Sequence, residues 1–139
     1  MDLLATVAEL LGEKLADDAG EDSQSFAAVL LDPSSTHRRL PLISHGAIGR
    51  FAITDGHWKL VMPHRKAKTE LYDLAADPGE SKNVAAEYPE TVASLKKKIT
   101  NIICNGRTTP GTRQPNDTGH WKDLTWIQPD EYETLTARR

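Results

Sequence analysis

The stretch FAITDGHWKLVMPHRKAKTELYDLAADPGESKN, residues 51–83, decides how the chain is read. Two short apolar runs, FAIT and HWKLV, flank Asp55-Gly56. An Asp-Gly pair supplies the positive φ angles of a two-residue type I′ turn, so the pattern predicts a β-hairpin. Polar residues 63–69 lead into ELYDL at 70–74, a third strand-like run, which Asp77-Pro78-Gly79 stops with turn chemistry. Upstream, LPLIS at 40–44 reads as a further strand, with Pro41 confining it to an edge or a strand start and His45-Gly46 forming the bend. Strands at 40–44, 47–54, 57–62 and 70–73, joined by short links, suit an antiparallel meander. The two-residue period of a strand turns Trp58, Leu60 and Met62 toward the core and His57, Lys59 and Val61 away from it.

Working outward, Pro89 stands where a helix starts, and Val92, Leu95, Ile99, Ile102 and Ile103 form one apolar stripe with Lys96, Lys97 and Lys98 on the wet side. Gly106 can end this helix, and its stripe needs one face of the sheet to cover. At the other end Leu3, Leu4, Val7, Ala8, Leu10 and Leu11 share a broad helical face, with Asp2 able to cap the amide donors and Gly12 able to terminate. Residues 12–24, GEKLADDAGEDSQ, are too polar to bury, and residues 25–31 make a short helix closed by Asp32-Pro33. The expected fold is α+β: a roughly four-stranded antiparallel sheet with an amphipathic helix packed on it. One subdomain spans 1–105, with a helical lead-in at 1–33, the meander at 40–75 and the helix at 89–105. An irregular tail at 106–139 follows, whose Trp121, Leu124, Trp126 and Ile127 must dock.

A chain of 139 residues fits one domain, which at this size buries roughly two thirds of its unfolded surface without needing staples. A net charge of −3 and no long basic block give no footprint for nucleic acid or an anionic membrane. No window approaches the roughly 18 apolar residues of a membrane span. Cys104 stands alone, so no intrachain disulfide forms and the compartment stays open. Asp2 and Glu9 stand where an export signal carries positive charge and then an unbroken apolar run, so no such signal is expected here.

In their order, GRFAITDGHWKL at 49–60, ELYDL at 70–74, DPGE at 77–80 and Asn83 resemble the C-terminal subdomain of type I sulfatases, the arylsulfatase-like sulfuric ester hydrolases. The resemblance extends back to DLLATVAELLG at 2–12 and forward to GRTTPG at 106–111, and Glu21-Asp22 and the pair Leu30-Leu31 fit its linker and following helix. It implies a C-terminal fragment that gives structural support and part of a substrate cleft. The partner it implies is an N-terminal catalytic domain, with sulfated substrate bound only in the intact enzyme. Such enzymes are often exported to the periplasm or beyond; this chain leaves its own localisation unknown. An alternative from another class is a free-standing binding module that uses the Trp-bearing tail and the sheet.

The family's nucleophile is a Cys or Ser in Cys/Ser-x-Pro-Ser-Arg, oxidised to formylglycine and assisted by a calcium or magnesium ion. The 139 residues contain no such motif and lack the family's metal-ligand elements. Cys104, followed by Asn-Gly-Arg, reads as a partly buried small residue, and Asp17-Asp18 as a solvated charge pair. No catalytic residue, metal ligand or cofactor is therefore expected in this chain, and no activity from it alone. His37, His45, His57, His64 and His120 lack the spacing that converges on a metal. The resemblance singles out His45, just before the entry to the hairpin, as substrate-facing. Arg107 is the second substrate-facing candidate, because a guanidinium fork can hold a sulfate or a sugar carboxylate; Arg113 offers the same chemistry in a polar tail. Asn116-Asp-Thr118 matches a glycosylation sequon.

Overall fold

Alternating apolar residues around a glycine turn build the centre of the molecule. The computed structural model describes residues 2–137; Met1, Arg138 and Arg139, in the expected lead-in and tail, lie outside the described residues. The elements are α1 (Leu3–Leu11), α2 (Ala27–Leu31), β1 (Leu42–His45), β2 (Phe51–Asp55), β3 (Trp58–Val61), β4 (Glu70–Asp73), α3 (Pro89–Asn105) and α4 (Pro129–Ala137). The four strands form one sheet in the order β1-β2-β3-β4, antiparallel at every step. The α+β fold read from the sequence is the fold observed.

The central turn differs from its expected form. Asp55 pairs with Trp58, so the two-residue loop is Gly56-His57. Only Gly56 has a positive φ, +61°, whereas a type I′ loop needs one at both positions. Glycine therefore leads the loop, as in Gly-X turns of type II′. This register sets Ile53 opposite Leu60, both fully buried, which a loop at 55–56 would separate. It also frees the Asp55 carboxylate to pair with Lys98 of α3.

One face of the sheet meets α3. Ile53, Leu60, Met62 and Leu71 pack with Leu95 and Ile99 of the helix and with Val84 of the connection between them. Fully burying an aliphatic side chain of this size is worth about 1.5–3 kcal/mol. Trp58 stays partly exposed and packs at the margin of this core, its ring 5.1 Å from that of Tyr88. Pro89 opens α3 and Gly106, at φ +67°, closes it.

The connection from β4 to α3 is held by the residues of its sequence motif. The Asp77 carboxylate accepts the Lys82 amide at 2.8 Å and the Ser81 hydroxyl at 3.0 Å. Those bonds, the Lys82 amide first, hold its carboxyl below the usual range. Glu80 pairs with Lys59 at 2.6 Å. The Asn83 side chain accepts the Leu71 amide at 3.0 Å and the Ala85 amide at 2.9 Å, covering a donor on the outer edge of β4.

Two features depart from expectation. Asp2 makes no side-chain cap on α1; its carboxylate is taken by Arg39 at 2.6 Å and by the Gln24 amide at 3.3 Å. The segment expected to be an irregular tail ends in a nine-residue helix, α4. Leu124, Ile127 and Tyr132 bury with Cys104 in a second apolar cluster at the end of α3. Trp126 joins this cluster to the main core and donates its indole N–H to Thr100 at 3.0 Å. The tryptophan-bearing segment thus docks, as its composition demanded.

Candidate functional site

His45 ends β1 and is brought against residues that only the folded chain assembles. Its ring stacks on Phe51, the first residue of β2, with centroids 4.2 Å apart, because the two are paired across the strands. The Trp121 ring meets it edge-on at 6.2 Å. Nε2 of His45 lies 3.8 Å from Oδ2 of Asp123, the same oxygen that accepts the Trp121 indole N–H at 3.0 Å. The indole bond, ahead of the nearby charges of His64, Lys122 and His45, holds the Asp123 carboxyl below the usual carboxylate range. The imidazole keeps 39% of its side-chain surface open, so it can present a ring nitrogen to a ligand hydroxyl or anionic oxygen.

Gly49 makes this arrangement possible. It sits at φ +84°, and a Cβ there would fall 2.5 Å from Oδ2 of Asp123. His64, which the sequence pattern did not single out, is buried close by, with no hydrogen-bond partner for either ring nitrogen among the described residues. Trp121 and Phe51 also line a cavity of about 450 Å³, together with Ile43, Ile103, Asn116 and Tyr132 among others. No local pattern near residue 45 announces Trp121 or Asp123. The one available cue is Gly49 inside the strand expected at 47–54, because a glycine within a strand pattern marks a bulge or a close approach.

Arg107 does something other than what was expected of it. Its guanidinium is 8% exposed and donates to the carbonyls of Asp17, Thr109, Pro110 and Thr112, to the Thr109 hydroxyl and to the Asp17 carboxylate. Next to it, Thr108 donates both its amide and its hydroxyl to Asp22 at 2.8 and 2.6 Å, and Thr109 donates both of its own to the Glu21 carbonyl. The GRTTPG segment therefore fastens the acidic lead-in to the end of α3. Asp17, read as a solvated charge, is half exposed yet fully engaged, with Thr112 as its strongest partner. The fork, expected to face substrate, is spent here on main-chain carbonyls. Arg113 reaches the Leu135 carbonyl at 3.3 Å, tying α4 to the same region.

Cys104 is buried at 4% exposure, and burial pushes its thiol pKa up, the opposite of what a nucleophilic thiolate needs. Among the described residues no group of three or more His, Cys, Asp or Glu converges to hold a metal ion. No helix among the described residues is long and apolar enough to cross a membrane.

No protein-family model matches the chain. An N-acetylgalactosamine-6-O-sulfatase of Bacteroides thetaiotaomicron is 32% identical over 116 residues, which cover 73% of this chain and 22% of that protein. Arylsulfatase K of Xenopus laevis is 29% identical over 118 residues, 74% of this chain and 22% of that one. A solved structure described with the metabolism of multiple glycosaminoglycans by Bacteroides thetaiotaomicron superposes with a TM-score of 0.63 and 31% identity, over 73% of this chain and 24% of its own. The chain spans about a fifth of the length of the curated relatives it matches. By sequence and by the fold of its sheet and long helix, it belongs to the arylsulfatase-like type I sulfatases and corresponds to their C-terminal subdomain.

Proposed function

We propose that this chain is the C-terminal part of a sulfatase and, within the intact enzyme, forms one wall of the cleft that receives a sulfate ester of a sugar or aryl alcohol. His45, set between Phe51, Trp121 and Asp123, is its substrate-facing group. Arg107 supports the same part of the molecule from within, by fastening the lead-in to the end of α3. The nucleophile, its formylglycine and the calcium or magnesium ion belong to the N-terminal catalytic part. Formylglycine and the ion supply the attack on sulfur and the stabilisation of oxygen charge; this chain supplies positioning. The observation that carries the reading is the 32% identity over 116 residues to a sulfatase of which the chain spans 22%.

Sulfate-ester cleavage needs a nucleophile at sulfur and fixed positive charge on the departing oxygens. Incubating the purified chain with p-nitrophenyl sulfate and with sulfated oligosaccharides, in calcium or magnesium and after treatment with a formylglycine-generating system, should give no turnover above a Cys104→Ser control. Turnover by the unaltered chain would overturn the reading. In a graft of this chain into the Bacteroides thetaiotaomicron enzyme, in place of its matched stretch, His45→Ala should raise KM more than it lowers kcat.

A further inference from the structure

Helix α1 is turned inside out for the chain that carries it. Its small residues Thr6 and Ala8 are buried. Leu3 (67%), Leu4 (50%), Val7 (50%), Leu10 (48%) and Leu11 (71%) are instead exposed, on a face about 120° wide. Neighbouring α2 adds Leu30 at 57% and Leu31 at 75%. When leucine and alanine are both on offer, burial favours leucine, so a face of this kind has a cover. We infer that the α1 face is the seat of the N-terminal part of the sulfatase polypeptide, through an apolar surface of that part; this rests on the function proposed above.

Three observations select that occupant. The relatives are more than four times as long as the stretch matched here, so most of such a polypeptide has to meet this chain somewhere. The lead-in is clamped to the end of α3 by Arg107 on Asp17 and Thr108 on Asp22, so α1 is held in place and does not fold back onto the sheet. A second copy is a poor cover, because a nine-residue helix is only about 13 Å long and falls well short of the roughly 800 Å² per partner that a stable dimer needs. Docking within one polypeptide escapes that requirement, since a covalent link supplies a high effective concentration.

The test is the double substitution Leu4→Lys with Leu11→Lys. In the purified chain it should move Tm by under about 2 °C and cut the fluorescence of a bound hydrophobic dye several-fold. In the graft into the Bacteroides thetaiotaomicron enzyme, the same pair should lower Tm by about 10 °C or more, or abolish soluble yield. Ile48→Lys, at an apolar position 71% exposed outside these helices, should leave the graft unchanged. Unfolding of the isolated double variant would place the leucines in this chain's own core and overturn the inference. So would an isolated chain of fixed dimeric mass that the substitutions dissociate. A double-variant graft as stable and active as the unaltered one would overturn it while leaving the proposed function intact. An unaltered graft that never folds would remove both.

Discussion

Replacing Arg107 by Ala separates two roles for this arginine, fastening the lead-in and holding a substrate anion. Six hydrogen bonds leave its guanidinium, four of them to main-chain carbonyls. A hydrogen bond to a charged group contributes about 1.5–3 kcal/mol, but most of these acceptors are exposed and regain water when the arginine is lost. The ion pair with Asp17, itself half exposed, adds little. What remains is the pair of bonds to Thr109, in the part-buried interior of the segment, so the expected cost is about 2–3 kcal/mol. For a domain of this size that lowers Tm by roughly 6–10 °C. Arg107→Lys keeps the charge without the fork and should recover less than half. Urea melts give the total, and amide exchange locates it: residues 13–24 and 106–114 should exchange faster, with β2 and β3 unchanged. Asp17 adds a pH signature. Its carboxyl is held below its ordinary value of 3.8, chiefly by Thr112 and then by Arg107. A lowered folded pKa stabilises above the unfolded value and is lost as pH falls through the folded one, so the deficit of Arg107→Ala should narrow below about pH 3.8. An unaltered melt and exchange pattern, together with lost affinity for a sulfated oligosaccharide, would refute the clamp and return Arg107 to the substrate.

Ile99→Ala empties a fully buried position between α3 and the sheet and should cost about 2–4 kcal/mol in a urea melt; a loss under about 0.5 would mean that the helix does not cover the sheet. Gly49→Ala places a Cβ against the Asp123 carboxylate at a positive φ, so it should cost about 1–3 kcal/mol and abolish the ring-to-ring NOE between His45 and Trp121; an intact NOE would show that Asp123 does not order the site.

The parts of the fold that were legible are those whose signal is periodic and local. Leu60 and Met62 alternate into the core, and the stripe from Val92 to Ile103 demanded a sheet to cover. The hairpin itself was legible, but not which two residues turn, because Asp-Gly marks a bend while the pairing of Ile53 with Leu60 sets the register. Helix α4 was missed because only Tyr132 and Leu135 on it are apolar and packed, too few for a period, although Pro129 followed by Asp130 and Glu131 is the chemistry of a helix start. At the site, His45 was singled out by resemblance, whereas its neighbours Trp121 and Asp123 are joined to it only by tertiary packing. The bonds of Arg107 were not legible because its acceptors are main-chain carbonyls, which every residue carries and no sequence displays.

The motif residues behind the family resemblance point the same way. Asp77 folds its own loop, Glu80 holds Lys59, Asn83 covers the edge of β4, and Arg50 ties the Met62 carbonyl to Glu70. Each binds a backbone group or an oppositely charged side chain within the sheet and its connections. A two-residue period tolerates many apolar choices, but a loop that must satisfy particular amide donors tolerates few, so the positions that identify this subdomain are the ones that close its backbone hydrogen bonds. A chain can therefore carry the marks of a hydrolase family's C-terminal subdomain through residues whose work is to close its own backbone and pair its own charges.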